Sequence, residues 1–351
     1  MLDLDEALDR FHLTAPEYLG GLANHGPMAV EALFELGHRA LTQGFVDVYA
    51  PRLRPLSPGR PLRPDDEAYA LGDPARFADW LATLELEIAR ESYPRVIEQR
   101  TAQWIDGVFA GGTHGLIRTA HAARALGQAD TPARRRELAH GLAYWAARHQ
   151  VLPGQIGARR IAGRTPAAVL RDAPLLPVTL RKAGSFSEAA RALDSFEPFA
   201  RCIETLDASL DPEPGLHELC VAAAELFMRH PRHKIEYVHV LTAPSALRLL
   251  SPYLKAATRA RALACVTRAA AALHAISAMP GAATSTDPQV SDSERELADS
   301  RDELRYRAAC SLEEHQIKYV EACLREDAVQ PHALFRRAAA RMIATAEHRS
   351  E

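Results

Sequence analysis

GGTHGLIRTAHAARALGQADTPARRRELAHGLAYWAARHQ, residues 111–150, is the stretch that sets the fold class. Gly111-Gly112-Thr113 forms a turn before a helix expected over His114 to Leu126. Thr131 then stands where an N-cap should, with Pro132 at the first helical position. That second helix runs through Tyr144 and Trp145 to about Gln150, and Leu152-Pro153-Gly154 stops it.

The same pattern extends outward in both directions. Pro27 to Tyr49 reads as two short helices with a break near Gly37. PRLRPLSPGRPLRPDD, residues 51–66, has five prolines and cannot be regular helix. Asp73-Pro74 opens a helix to about Arg90 by the same cap-then-proline logic. Residues 157–177 are less periodic and read mostly as loop. Beyond them helices are expected at Ser187–Leu193, Glu197–Leu210, Gly215–Met228, Ile235–Leu250, Leu254–Ser277, Ser293–Glu326 (with a bend) and Pro331–Arg349. IEYVHVLT resembles a strand in isolation, but the LTAPSALRLL that completes it favours helix. GAATSTDPQVSDS, residues 281–293, is the best surface-loop or lid segment. The expected fold is all-α, a multi-helix bundle with a buried metal site. It is read as one domain over 1–351, with halves near 1–180 and 181–351 as the other division.

Composition narrows the function classes. The 351 residues are 47% hydrophobic with a net charge of −3, enough for a large core. Basic and acidic residues are interspersed, so no nucleic-acid partner is expected. The apolar run from Ala262 to Met279 is broken by Arg268 and His274, so it reads as core rather than membrane span. MLDLDEALDR lacks the character of a signal peptide. Cys202, Cys220, Cys265, Cys310 and Cys323 form no CxxC pair, which fits a reducing, cytoplasmic setting. A homodimer is compatible with the sequence, which does not fix oligomeric state. There is no GxGxxG, no P-loop and no GxSxG.

Four histidines stand in separate, distinctive settings: His25 in NHGPM, His114 in GGTHGLIR, His239 in EYVHVLTA and His315 in EEHQIKY. Imidazole is the commonest protein ligand for a transition metal. Pro27 places His25 at a helix N-terminus, and Gly26 permits close backbone approach. His114 follows a tight turn. His121 lies two turns further on, about 10 Å away by helical rise, so it is assigned to substrate or to a ligand's outer partners. His239 sits in an apolar run, where a core histidine is the ordinary alternative. His230 and His233 look surface-like.

His315 and Lys318 share a helix face, with Cβ atoms roughly 5–6 Å apart. The ordinary alternative is a solvated polar face. A lysine buried beside a cation loses its proton readily. The neutral amine can then take up carbon dioxide and become a carbamate, an anionic oxygen donor. Four imidazoles and one such donor would suit Fe(II) or another first-row divalent ion. Tyr319 is a second candidate to face substrate.

ANHGPMAVEAL, GGTHGLIRTAHAARAL, LAYWAARHQVLPG and EEHQIKYVEACLRE resemble the questin oxidase-like family, as does HKIEYVHVLTAPSALRLL less cleanly. The blocks run from about Ala23 to Glu326. The resemblance implies an oxidoreductase using O2 on an aromatic or quinone-type small molecule, with a ring-cleaving, Baeyer–Villiger-like or dioxygenase outcome. It also implies non-haem iron held by histidines and a carboxylated lysine, carried here onto His25, His114, His239, His315 and Lys318. NADPH as a reductant is left open. LTAPSALRLL departs from the Gly-Ala-His-type stretch expected after His239. Two other readings stand beside this one. A metal-free helical binding or scaffold protein would keep its histidines as structural groups. A zinc hydrolase would draw its base from Glu313, Glu314 or Glu321.

Overall fold

The structure is a computed structural model that describes residues 2–181, 184–230, 234–278 and 291–347. Among these residues the chain forms eighteen α-helices, several 3-10 turns and one small hairpin. The all-α expectation therefore stands. The hairpin was not anticipated: Glu17–Tyr18 pairs antiparallel with Leu22–Ala23.

The two helices read from residues 111–150 are His114–Gln128 and Pro132–Ala147, and they lie against each other. Glycine is what lets them meet. A Cβ on Gly115 would sit 2.7 Å from Trp145 Cα, and one on Gly141 would sit 2.8 Å from Thr119 Cα. Each helix thus presents bare backbone to the other. Thr131 caps the second helix by accepting from Arg134 N, as the sequence implied.

The Lys234–Leu250 helix packs on His114–Gln128, Ala256–Ser277, Pro212–Arg229 and Glu314–Val329. Glu314–Val329 packs in turn on Gly26–Glu35. Elements from before and after residue 180 therefore share one hydrophobic core, which includes Trp80, Trp104, Trp145, Phe109 and Tyr237. IEYVHVLT is helical, and the helix continues through Pro244.

Several boundaries differ from expectation for local reasons. Gly37 does break the early segment, with φ 84 between Gly26–Glu35 and Thr42–Tyr49. Residues 157–177 contain a helix, Pro166–Arg171, capped by Thr165 on Ala168 N; it is the same cap-then-proline device in a shorter element. Tyr93–Trp104 is a further helix, with Pro at its start. The Ser293–Glu326 segment is three helices, Asp292–Asp299, Arg301–Cys310 and Glu314–Val329. Ser300 caps the second by accepting from Glu303 N, and Leu312 at φ 50 turns the chain into the third. The helix begun at Glu197 ends at Glu204 rather than near Leu210. The lid segment 281–293 lies mostly outside the described residues; its last three residues open the Asp292–Asp299 helix, capped by Ser291. Among the described residues no helix is long and apolar enough to cross a membrane.

Candidate metal centre

Four helices bring the four histidines to one place. His25 immediately precedes Gly26–Glu35, with Pro27 in the first turn. A Cβ on Gly26 would fall 2.4 Å from Phe11, so only glycine allows this close approach. His114 is the first residue of its helix. Gly111, Gly112 and Thr113 precede it with φ of 57, 67 and 78, a left-handed run that swings the chain sharply into the helix. His239 lies inside Lys234–Leu250 and His315 is the second residue of Glu314–Val329.

The rings converge. His114 Nε2 lies 2.7 Å from His25 Nε2 and 3.0 Å from His239 Nε2. The His25 and His315 ring centroids are 4.5 Å apart, and those of His239 and His315 are 5.7 Å apart. His25, His239 and His315 each offer a nitrogen within 4.8 Å of the others.

The opposite ring nitrogens decide what these approaches mean. His114 Nδ1 donates to the Gly111 carbonyl at 2.6 Å, and His239 Nδ1 donates to the Ile235 carbonyl at 2.6 Å. A carbonyl only accepts, so both Nδ1 atoms carry the proton. In the neutral ring the two Nε2 atoms are then bare lone pairs. They face each other at 3.0 Å with no hydrogen between them. That contact is repulsive unless a cation sits between the two pairs. Two nitrogens about 2.1 Å from one ion and at a right angle are about 3 Å apart. The observed separations have that size. His315 follows the same rule, with Nδ1 donating to Glu313 Oε1 at 2.8 Å. This carboxylate–histidine pairing is the usual outer support of a metal-bound imidazole. Glu313 also caps the helix by accepting from His315 N and Gln316 N.

Burial keeps the His25, His114 and His239 rings neutral. Burial, reinforced by the Lys318 charge, pushes His114 down to about 3. Burial lowers His25 and His239 well below the ordinary histidine range, with Lys318 and the neighbouring histidines adding to the effect. Lys318 is itself buried, and desolvation lowers it to about 8 against the opposing pull of Glu314 and Glu313. Its charge acts on three of the four histidines. Free Nε2 lone pairs on His114 and His239, and fixed Nδ1 partners on these two and on His315, fit a divalent transition metal; the buried His25 Nδ1 has no partner among the described residues.

A cavity of about 440 Å³ opens onto His25, His114, His239 and His315. Tyr18, Leu22, Phe186 and Ile235 give it apolar walls. The Phe186 ring meets His239 edge-on, with centroids 5.3 Å apart. Glu314 also lines the cavity; Glu313 and Glu321 do not. The three carboxylates weighed from sequence are thereby separated. Glu313 holds His315, and Glu321 is bound to Arg124 and Arg325.

His121 and Tyr319 do not line this cavity, which corrects their assignment to substrate contact. His121 Nδ1 instead meets Glu31 Oε2 at 2.6 Å, two turns beyond His114 along the helix. Tyr319 is fully buried and stacked on Phe227, with centroids 4.4 Å apart. The position after Lys318 points about 100° away around the helix, into the core. His230 is not surface-like either: it is partly buried and stacked flat on Tyr237. His233 lies outside the described residues. Sequence reasoning missed Glu17, Phe186 and Arg191, which come from the hairpin and from residues 184–191. The hairpin carries no periodicity that would have marked it, and the helix expected at Ser187–Leu193 gave no sign that it borders the histidines.

No family model matches the chain, and no curated protein matches it.

Proposed function

We propose that this protein is an oxygen-dependent oxidoreductase that binds non-haem Fe(II) through His25, His114, His239 and His315 and oxidises an aromatic or quinone-type small molecule. The observation that carries the reading is the bare lone-pair contact between His114 and His239, which a bound cation relieves. When bound, Fe(II) supplies the electron-transfer chemistry that O2 requires.

The chain's own residues supply the rest. Gly111, Ile235 and Glu313 hold three imidazoles in the tautomer that turns Nε2 inward. Tyr18, Leu22, Phe186 and Ile235 give the open cavity apolar surfaces against which a flat ligand can lie. Lys318 is the candidate for the anionic donor. As a neutral amine it attacks carbon dioxide, forming a C–N bond and releasing a proton, and the product is a carbamate that would offset the ion's charge. Its lowered pKa makes the neutral amine accessible near pH 8.

A zinc hydrolase is the second reading. Glu314 favours it, as a carboxylate on the cavity wall beside His315.

Elemental analysis of protein purified without a metal column separates these readings. About one iron per chain with substrate-dependent O2 uptake supports the oxidoreductase. One zinc and no O2 uptake replaces it with the hydrolase. No metal after anaerobic Fe(II) addition leaves the metal-free binding protein. In the first case His114→Ala is expected to lose both metal and O2 uptake. The ratio of O2 to NADPH consumed then distinguishes a monooxygenase from a dioxygenase.

A further inference from the structure

The cavity carries one charge that the proposed chemistry does not use. Its carboxylates are all engaged. Glu17 accepts from Tyr144 Oη at 2.8 Å and is paired with Arg148. Glu188 accepts from Ser185 N at 2.8 Å and Ser185 Oγ at 2.9 Å. Glu314 lies 3.8 Å from Arg52. Arg148 is likewise taken up by Glu17. Arg191 lines the same cavity, yet among the described residues its guanidinium makes no hydrogen bond and no ion pair; only its backbone N–H is bonded, to the end of the preceding helix. It feels Glu188 at longer range, but that carboxylate is already bound to Ser185. The guanidinium is exposed at the rim, and Phe186, Tyr18 and Leu22 lie on the cavity wall with it.

We propose that Arg191 is the anion-recognition residue of this cavity, and that the ligand is an aromatic acid. Its carboxylate pairs with Arg191 at the rim. Its ring system lies along Phe186 and Tyr18, and its far edge faces the four histidines. About 440 Å³ accommodates two or three fused rings. Arginine suits the task because its planar fork matches a carboxylate with two parallel hydrogen bonds and is weakly hydrated. The proposal rests on reading this cavity as the substrate pocket, but not on the identity of the metal.

The test uses chelator-treated, metal-free protein, so that a failed metal assignment does not affect it. Binding of 2-naphthoate and of methyl 2-naphthoate is measured by titration calorimetry for the wild type, Arg191→Gln and Arg191→Lys. The acid should bind about five- to tenfold more tightly than the ester, as expected for a partly solvated charge-assisted pair. Arg191→Gln should remove that preference while leaving ester affinity unchanged, and Arg191→Lys should retain part of it. Three results overturn the proposal: equal binding of acid and ester by the wild type, no binding of either, or a preference that survives Arg191→Gln. In the last case the anion is read deeper in the cavity, by Lys318 or the histidines.

Discussion

Glu31 and His121 are joined by a buried 2.6 Å hydrogen bond between the same two helices that begin at His25 and His114. Arg124 extends the link. It binds Glu31 at 2.5 and 2.6 Å and Glu321 at 2.5 Å, and Glu321 belongs to the helix of His315 and Lys318. Three of the four histidine-bearing helices are therefore tied a second time, about two to three turns below the cluster.

Arg124→Leu should be strongly destabilising, because it strands Glu31 and Glu321 in the core with too little positive charge. Breaking such a buried network costs about 3–5 kcal/mol. Denaturant unfolding followed by circular dichroism measures it. A loss under 1 kcal/mol would mean that water reaches these carboxylates.

On the proposed metal reading, Glu313→Ala should weaken metal binding about 10–100-fold, because His315 loses the carboxylate that fixes its ring, and should cost about 1 kcal/mol of stability through the lost helix cap. Competition with a chelator of known affinity reads this directly. Unchanged affinity would remove His315 from the ligand set.

Gly141→Ala tests the helix contact independently of the metal. Its new methyl would meet the Thr119 backbone at 2.8 Å, and backbone yields less readily than a side-chain tip. Overpacking of this kind costs about 1–3 kcal/mol. A variant as stable as wild type would show that the two helices can slide apart freely.

Glu137 provides a pH signature. It is buried, and although burial opposes ionisation, Arg118 at 2.6 Å and His12 at 3.2 Å hold it down at about 2. A carboxyl depressed in the folded state stabilises above its unfolded value near 4.5, and that contribution is lost as pH falls toward 2. The loss should be on the order of 3 kcal/mol. Glu137→Gln should be less stable at neutral pH and flatter across pH 4.5 to 2. An equally steep profile would assign the acid sensitivity to other groups.

Much of this arrangement was legible in the sequence because cap-then-proline signals act locally. Asp73-Pro74 and Thr131-Pro132 mark helix starts wherever the chain later goes. His25 and His114 stood out because glycine flanks both and a proline stands in the first turn after one of them, whereas the apolar run around His239 pointed equally to an ordinary core histidine, and only the fold brings the four together. His121 was misjudged because helical periodicity gives a face but not the neighbour opposite it. That neighbour is Glu31, ninety residues away in sequence. Tyr319 was misjudged by adjacency, since next to Lys318 in the chain is not next to it in space. The cavity rim escaped because Glu17, Phe186 and Arg191 stand in a two-residue strand, a five-residue helix and a 3-10 turn. A two-residue strand has no period to read, and the helical pattern of Ser187–Leu193 does not say what the segment packs against.

The turn at Gly20-Gly21 lies on the cavity wall, and a Cβ built on either residue meets no atom within 4 Å. Exposed turns of this kind accept inserted residues readily. The histidines, by contrast, hang from four packed helices whose contacts allow almost no change of volume. The width of the entrance can therefore change separately from the histidine cluster. A lineage or an engineer could reshape the mouth of the cavity by lengthening this turn, and the helices that carry the histidines would not register the change.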